Sequence, residues 1–274
     1  IQAKYEGLTS QDVLYSPFPL FHIDCATLTV MAALSVGGTA AIGKRFSVSR
    51  FWDDIRFFEV TVFNFMGATL SMLWKQPATD QDRNHKVRLA WGVPIPDWQS
   101  NFEERFGFPI YQVYGLTDAG VMVYDPQDGS QKYGYAGKLV PEWDLRIVNE
   151  HLEQVANGTP GEILLKGNEP GLMMNGYYGM PEATELAFAD GWYRSGDLGQ
   201  LDDEGYLAFL GRLTDSIRRR GENISAFEVE EMVSAHPAVL EVAAIGVPSE
   251  LTEEDVKVIL AFKPGQSATH AEIH

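Results

Sequence analysis

The stretch that decides the fold is DGWYRSGDLGQLDDEGYLAFLGRLTDSIRRRGENISAFEVEE, residues 190–231. The Glu-Gly pair at 204–205 separates two short apolar runs and predicts the turn of a β-hairpin. A cluster of arginines, 218–220, follows, and Ser225 with Glu228 three residues later predicts a capped helix start. Few unrelated proteins combine an acidic turn, a hairpin, a basic cluster and a capped helix in this order, so the stretch constrains fold and function together.

Composition excludes several classes of protein. The chain has 274 residues, of which 45% are hydrophobic and 22% charged, as in a globular protein. Its single cysteine, Cys25, rules out an internal disulfide framework and favours a reducing cytoplasm. Neither a signal peptide nor an apolar span of membrane-crossing length is recognisable, so secretion and membrane insertion are not predicted. The net charge of −17 argues against nucleic-acid binding, which needs a positive field.

The pattern along the chain predicts an α/β fold. In residues 1–132, apolar segments of strand length alternate with helical ones, which predicts a mostly parallel sheet flanked by helices. One of these helices is expected to be capped by Ser49. Short strands separated by glycine- and proline-containing turns predict a β-rich subdomain at 133–213. Residues 214–274 hold one capped helix and two strands, which predicts a partial small α+β domain.

Three motifs make the chain resemble the adenylate-forming superfamily of acyl-CoA synthetases, luciferases and peptide-synthetase adenylation domains. YRSGD, which ends at Asp197, is similar to (Y/W)-x-(T/S)-G-D, and YGLTD (114–118) is similar to Y-G-x-T-E. GRLTDSIRRRGENI (211–224) is similar to the hinge motif G-R-x-D-x-x-I-K-x-x-G-x-x-I. The resemblance covers nearly the whole chain. It implies that residues 1–213 are the second half of a large N-terminal domain and that 214–274 begin a C-terminal lid.

The resemblance implies a site for ATP and Mg²⁺. Tyr114 would stack on adenine, and Thr117 would bind phosphate and serve in catalysis with Asp118. Asp118 would also ligate Mg²⁺, although the superfamily usually has Glu there, so the shorter side chain would need a bridging water or a backbone shift. Asp197 would accept hydrogen bonds from both ribose hydroxyls, since a carboxylate has two oxygens. The remaining residues assigned to nucleotide binding are Gly92, Gln112, Gly115 and Arg212.

The resemblance also implies a hinge and a path for CoA. Thr214, where the superfamily usually has Asp or Lys, and Asp215 fall on the hinge about which the lid would rotate. Arg218 falls on a lysine of the superfamily, and Gly221 on a glycine that lets pantetheine pass close to the backbone. His22 lies where acyl-CoA synthetases have a histidine near the acyl pocket, and a purely structural role for it is an equal alternative.

The predicted activity is that of an ATP-dependent acyl-CoA synthetase. A carboxylate and ATP would give an acyl-adenylate and pyrophosphate, and CoA would then give the thioester and AMP. SPFPLFHIDC, NFEERFG and RRGENIS are most similar to crotonobetaine/carnitine-CoA ligases and related medium-chain enzymes. Two alternatives stay open: a peptide-synthetase-type adenylation domain, and a non-catalytic nucleotide-binding module of the same fold.

Two parts of the superfamily's machinery are not found in the sequence. No phosphate loop of the T-S-G-T-T-G-x-P-K type precedes residue 12, and the sequence ends at AEIH without the C-terminal lysine that contacts the carboxylate. We therefore expect the chain to be a fragment that by itself adenylates poorly or not at all.

Overall fold

The computed structural model describes residues 1–213, 216–219, 222–249 and 254–273. Contacts between residues divide the chain into two units. The first unit consists of residues 1–144, 167–177 and 205–207. The second consists of residues 145–166, 178–204 and 208–274.

The described helices and strands follow one another along the chain in an α/β pattern. The helices are α1 (Gln2–Tyr5), α2 (Ile23–Cys25), a π-helical segment (Ala26–Met31), α3 (Ala32–Val36), α4 (Val48–Phe57), α5 (Gly67–Trp74), α6 (Gln99–Phe106), α7 (Pro181–Leu186), α8 (Ala226–Ser234) and α9 (His270–Ile273). The strands are β1 (Val13–Ser16), β2 (Thr39–Ile42), β3 (Val62–Met66), β4 (Leu89–Val93), β5 (Ile110–Leu116), β6 (Gly120–Tyr124), β7 (Gly137–Leu139), β8 (Trp143–Val148), β9 (Gly161–Gly167), β10 (Phe188–Ala189), β11 (Trp192–Leu201), β12 (Tyr206–Arg212), β13 (Ser216–Arg219), β14 (Glu222–Ser225), β15 (Val239–Pro248) and β16 (Glu254–Phe262).

Parallel strands form the centre of the first unit, as predicted. Their order is β2-β1-β3-β4-β5, and each neighbouring pair is parallel. β6 and β7 then extend this sheet in antiparallel fashion. The first four residues of β3 are buried, as expected of a strand covered on both faces. Because parallel strands end at the same edge, the residues that follow β3 and β4 lie at one edge of the sheet.

Aromatic and aliphatic side chains from the helices cover this sheet. Phe51 and Ile55 of α4 are buried in the core, where ring contacts continue to Phe63 of β3. Gly107 ends α6 in a left-handed conformation, as its position in the sequence predicts. The expected cap at Ser49 is wrong. α4 begins two residues earlier than expected, with Ser47 at the N-cap position, and no side chain caps it.

One buried carboxylate ties together the amino ends of three strands. Asp12 is 4% exposed. Arg88 donates to both of its oxygens, from Nε at 2.8 Å and from Nη2 at 3.0 Å. Thr61 Oγ1 donates to Oδ1 at 2.7 Å, and Thr9 donates to Oδ2 from its backbone N at 2.8 Å and from Oγ1 at 3.1 Å. These contacts fix the segments that lead into β1, β3 and β4.

The second unit is rich in antiparallel strands, as predicted. Four strands lie side by side in the order β12-β11-β9-β8, and the short strand β10 pairs with β11. Val148, Leu164 and Trp192 form a small buried cluster, and the guanidinium of Arg146 lies 4.1 Å from the Trp192 ring centroid. The register of β11 on β9 shifts between Arg194 and Leu198. That irregularity bends the strand where the YRSGD motif lies.

The C-terminal part of the second unit forms a small α+β structure. β13 pairs with β14 and β15 with β16, both antiparallel. Ser225 Oγ accepts a hydrogen bond from Glu228 N at 3.3 Å, so the predicted cap of α8 is confirmed. Ile217 and Ala226 pack with Ala244 in its core.

The expected domain boundary between residues 213 and 214 stays a prediction. Within the described part of the chain, no helix combines the length and apolar character needed to traverse a bilayer.

Candidate functional site

Gly92 and Gln112 are brought side by side at the edge of the parallel sheet. They are register partners on β4 and β5. A Cβ at Gly92 would lie 1.9 Å from the carbonyl oxygen of Phe65, so only glycine lets β3 and β4 approach this closely. Gln112 Oε1 accepts a hydrogen bond from Ile95 N at 3.0 Å, which holds the loop after β4. Gly92, one of the residues assigned to nucleotide binding, therefore occupies a position where only glycine fits.

The YGLTD motif spans the end of β5 and the turn into β6. Tyr114 is 6% exposed, and the pairing of β5 with β6 shifts register between Tyr114 and Gly115. A Cβ at Gly115 would lie 2.4 Å from the carbonyl oxygen of Gly120, so glycine is required for the strands to meet. Thr117 is exposed and Asp118 is half-buried in the turn. The arrangement offers one hydroxyl and one carboxylate next to a buried aromatic ring.

Asp118 could hold Mg²⁺ only if a bound molecule supplied further oxygen atoms to the metal ion. Among the residues that the structure describes, no three or more His, Cys, Asp or Glu side chains form a group that could bind a metal ion. Mg²⁺ is commonly held by one or two carboxylates together with water and the phosphates of a substrate. The donor set therefore fits a magnesium ion that shares its coordination with a nucleotide.

In the second unit, the structure brings together two predicted nucleotide-binding residues that are far apart in sequence. Asp197 is 1% exposed, and its Oδ1 lies 3.3 Å from Nε of Arg212. The Arg212 side chain is 59% exposed. The pair therefore joins a fixed, buried carboxylate to a cation that reaches solvent, which is an arrangement suited to a polar ligand with hydroxyl and phosphate groups.

Ser195 fixes the backbone of the turn that carries Asp197. Its Oγ accepts a hydrogen bond from Asp197 N at 3.0 Å and donates to Ile163 O at 2.6 Å. The sequence reasoning assigned no role to this serine, although it stands in the YRSGD motif. That motif was the signal that could have identified it.

A second supporting pair was also missed. Arg194 Nη2 lies 2.7 Å from Oε2 of Glu162, which is buried on β9. Its hydrogen bond to Glu162 raises the pKa of Arg194, despite the opposing effect of burial. Because Glu162 is the register partner of Leu198, the pair braces the strand on both sides of Asp197. No local pattern in the sequence links two residues so far apart.

The structure gives His22 a structural contact. The half-buried ring is the N-cap of α2, and Nδ1 accepts a hydrogen bond from Asp24 N at 3.2 Å. Asp24 is itself buried, and burial raises the pKa of its carboxyl even though Asn64 and Ser16 donate to it. A role for His22 in an acyl pocket stays a prediction.

The predicted hinge and CoA positions are described only in part. Thr214, Asp215 and Gly221 lie outside the described residues. Arg218 lies on β13, where its backbone is the register partner of Asn223. Its side chain lies outside the described part of the structure. The hinge and the CoA contacts therefore remain predictions from sequence.

Comparisons with known proteins identify relatives of this chain. The crotonobetaine/carnitine–CoA ligase of Proteus mirabilis (strain HI4320) is 32% identical over 265 residues, which are 95% of this chain and 51% of that protein. The protein of the same name from Salmonella typhi is 31% identical over 270 residues, 97% of this chain and 52% of its own length. The chain thus spans about half the length of the curated relatives that it matches.

Solved structures give the same result. ATP-bound MatB from Rhodopseudomonas palustris is 26% identical with a TM-score of 0.88, over 99% of this chain and 54% of that one. O-succinylbenzoate coenzyme A synthetase (MenE) from Bacillus subtilis, in complex with ATP and magnesium, is 30% identical with a TM-score of 0.85, over 98% of this chain and 55% of that one. The family model described as "AMP-binding enzyme" matches residues 1–178. The chain therefore belongs to the AMP-binding enzyme family of adenylate-forming ligases.

Proposed function

We propose that this chain supplies part of an ATP-dependent acyl-CoA synthetase. In the first half-reaction a carboxylate attacks the α-phosphorus of ATP, and acyl-adenylate and pyrophosphate form. In the second, the thiol of CoA attacks the acyl carbon and AMP leaves. The observation that carries the proposal is the contact between buried Asp197 and exposed Arg212 at 3.3 Å. It supplies a fixed acceptor for hydroxyl groups beside a cation for phosphate.

Each residue would act by positioning or by charge. Asp197 would accept hydrogen bonds from the two ribose hydroxyls, and Arg212 would contact ribose or phosphate. Tyr114 would stack on adenine, and Thr117 would donate its hydroxyl to a phosphate oxygen. Asp118 would hold Mg²⁺, which neutralises phosphate charge when it is bound. In such reactions most of the protein's contribution is positioning and electrostatic stabilisation of the transition state.

The second half-reaction rests on Thr214, Asp215 and Gly221, which lie outside the described residues, and on Arg218, of which the structure describes the backbone. Rotation at Thr214 and Asp215 would exchange the adenylating face of the lid for one that admits CoA. Arg218 would contact CoA, and Gly221 would leave room for the pantetheine chain. The names of the curated relatives support a carnitine-like carboxylate as the substrate, and a medium-chain acid is the other substrate that we consider. The single cysteine is consistent with a cytoplasmic enzyme.

Binding of ATP to an Asp197→Asn variant tests the nucleotide site. Asn keeps the shape of the side chain but loses the charge and one acceptor, so we expect ATP affinity to fall at least tenfold, about 1.4 kcal/mol. Thermal stability should change little, because the partner cation is mostly solvated. Asp203→Asn, in an exposed turn, is the matched control. If Asp197→Asn lowers the melting temperature sharply and leaves the affinity of the folded protein unchanged, Asp197 only stabilises its turn.

Replacing Gly221 by leucine in the full-length gene product tests the CoA path. We expect carboxylate-dependent pyrophosphate exchange to persist and thioester formation to be lost, because the added side chain would obstruct pantetheine. If the variant loses both half-reactions equally, Gly221 does not serve as the passage for pantetheine. An exchange that depends on amino acids would instead indicate a peptide-synthetase-type adenylation domain.

A further inference from the structure

Asp125 is a buried residue that binds both backbone groups of Gln112. It directly follows the last residue of β6 and is 7% exposed. Its Oδ2 accepts a hydrogen bond from Gln112 N at 3.0 Å, and its backbone N donates to Gln112 O at 2.9 Å. The N–H and the carbonyl of one residue of β5 are therefore held by the same partner.

Gln112 connects this contact to the candidate nucleotide site. Its Oε1 accepts a hydrogen bond from Ile95 N in the loop after β4, and its register partner on β4 is Gly92. Tyr114, the residue assigned to adenine stacking, lies two residues further along β5, where the pairing with β6 shifts register. A displacement of Gln112 would therefore be transmitted both to this loop and to Tyr114.

The surroundings of Asp125 make its negative charge costly. A Cβ at Gly137 would lie 2.4 Å from Asp125 N, so the backbone of β7 packs directly against this residue. Oδ1 accepts no hydrogen bond from any residue that the structure describes. Burial, and to a smaller extent the carboxylate of Glu103, raise the pKa of Asp125 to about 6, against the effect of the hydrogen bond from Gln112. The ionised form that predominates at neutral pH therefore lowers the stability of the fold.

The charged groups around Asp125 do not neutralise it. The titratable side chains whose charges act in this region are Glu103 of α6, Tyr111 of β5 and Arg88, just before β4. Arg88 forms an ion pair with Asp12. Lys138 of β7 has its amine 4.4 Å from the ring centroid of Tyr206. Within the described ranges of the chain, no cation forms an ion pair with Asp125.

We propose that Asp125 is a positioning residue of the nucleotide site, whose ionised carboxylate keeps Gln112 and the loop after β4 in the arrangement that binds a nucleotide. The inference rests on the proposed function. An ionised acceptor binds an N–H group about twice as strongly as a neutral one, so Gln112 is held more firmly once Asp125 has lost its proton. A site that is already ordered loses less of its binding free energy to ordering. The same charge therefore lowers stability and raises affinity, a trade-off that is common at functional sites.

The coupling between the proton and the nucleotide is reciprocal. If ionisation of Asp125 favours nucleotide binding, a bound nucleotide must favour ionisation of Asp125 to the same extent. Binding of AMP near pH 6 is therefore expected to release protons from the wild-type protein in excess of those released from a variant that cannot ionise at this position.

The affinity for AMP, measured by calorimetry on the full-length gene product from pH 5 to pH 8, tests the assignment. Asp125→Asn keeps an acceptor for Gln112 N but carries no charge at any pH. We expect the wild type to bind AMP at least fivefold more tightly than this variant at pH 8 and equally tightly at pH 5, with the change centred near pH 6. Protonation of the AMP phosphate acts on both proteins alike, so the ratio of the two affinities isolates Asp125.

Two further variants separate positioning from a purely structural contact. Asp128→Asn removes a charge from the exposed turn after β6 and should follow the wild type at every pH. Glu103→Gln keeps an acceptor for Ile110 N but removes a charge that raises the pKa of Asp125, so the change in affinity should move to lower pH. Asp125→Asn should unfold at no lower temperature than the wild type at pH 7, which excludes unfolding as the cause of a lost affinity.

The inference is overturned if Asp125→Asn binds AMP as tightly as the wild type at pH 8, or if the ratio of the two affinities is constant with pH. In both cases binding of AMP by the wild type leaves the proposed function intact. If the wild type binds AMP at no pH, the proposed function fails and this inference fails with it.

Discussion

The Asp12→Asn substitution should destabilise the first unit in a pH-dependent manner. Burial alone would raise the pKa of Asp12, but hydrogen bonds from Arg88 and Thr61 and from the backbone of Thr9 outweigh it and lower the pKa from 3.8 to about 2. A difference of about 2 pKa units corresponds to roughly 2.5 kcal/mol. A carboxyl whose pKa is lowered by folding stabilises the fold at every pH above the pKa that it has in the unfolded chain. This contribution is lost as the pH falls from about 4 to about 2.

Urea unfolding at a series of pH values from 7 to 3 measures this contribution. At pH 7 we expect Asp12→Asn to lower the free energy of unfolding by about 3 kcal/mol, because the buried end of a bidentate pair loses its charge. The deficit should shrink as the pH approaches 3. Asp53→Asn is the matched control, since Asp53 pairs with Arg56 at 2.7 Å but is 71% exposed, and its loss should cost less than about 0.5 kcal/mol. A deficit below 1 kcal/mol at pH 7, or one that is constant with pH, would refute the reasoning.

Two further substitutions test the sheet that carries the candidate site. Burial raises the pKa of Asp125 to about 6, against the hydrogen bond that it accepts from Gln112 N. Its folded pKa thus exceeds the unfolded value of 3.8, so stability falls as the pH rises from about 4 to about 6. Asp125→Asn should therefore raise the free energy of unfolding at pH 7 by up to ~3 kcal/mol and give no gain at pH 4, as measured by urea unfolding. Gly92→Ala should cost more than about 2 kcal/mol in the same assay, because its Cβ would overlap the carbonyl of Phe65, and unchanged stability would contradict the close approach.

Local patterns in the sequence predicted much of the fold. Alternating apolar segments predicted the parallel sheet, Gly107 the end of α6, and Ser225 with Glu228 the start of α8, since each of these depends on residues close in sequence. Strands β13 and β14 were missed because the arginine cluster reads as a polar loop. Pairing across a hairpin, rather than the propensity of its residues, forms those strands.

The candidate site was predictable where motifs carried it. The motifs identified Asp197 and Arg212, and the structure adds that they touch. The bracing pair of Glu162 and Arg194 joins residues that no motif links, so it became visible only in three dimensions.

Carboxylate-dependent exchange of pyrophosphate into ATP, measured on the full-length gene product, tests the central claim most directly. The panel should include carnitine, crotonobetaine and medium-chain fatty acids, and the Asp197→Asn variant should be assayed beside the wild type. We predict exchange with at least one of these carboxylates and its loss in the variant. Tight binding of ATP without exchange for any carboxylate would contradict the proposed activity and indicate a nucleotide-binding module that has no ligase function.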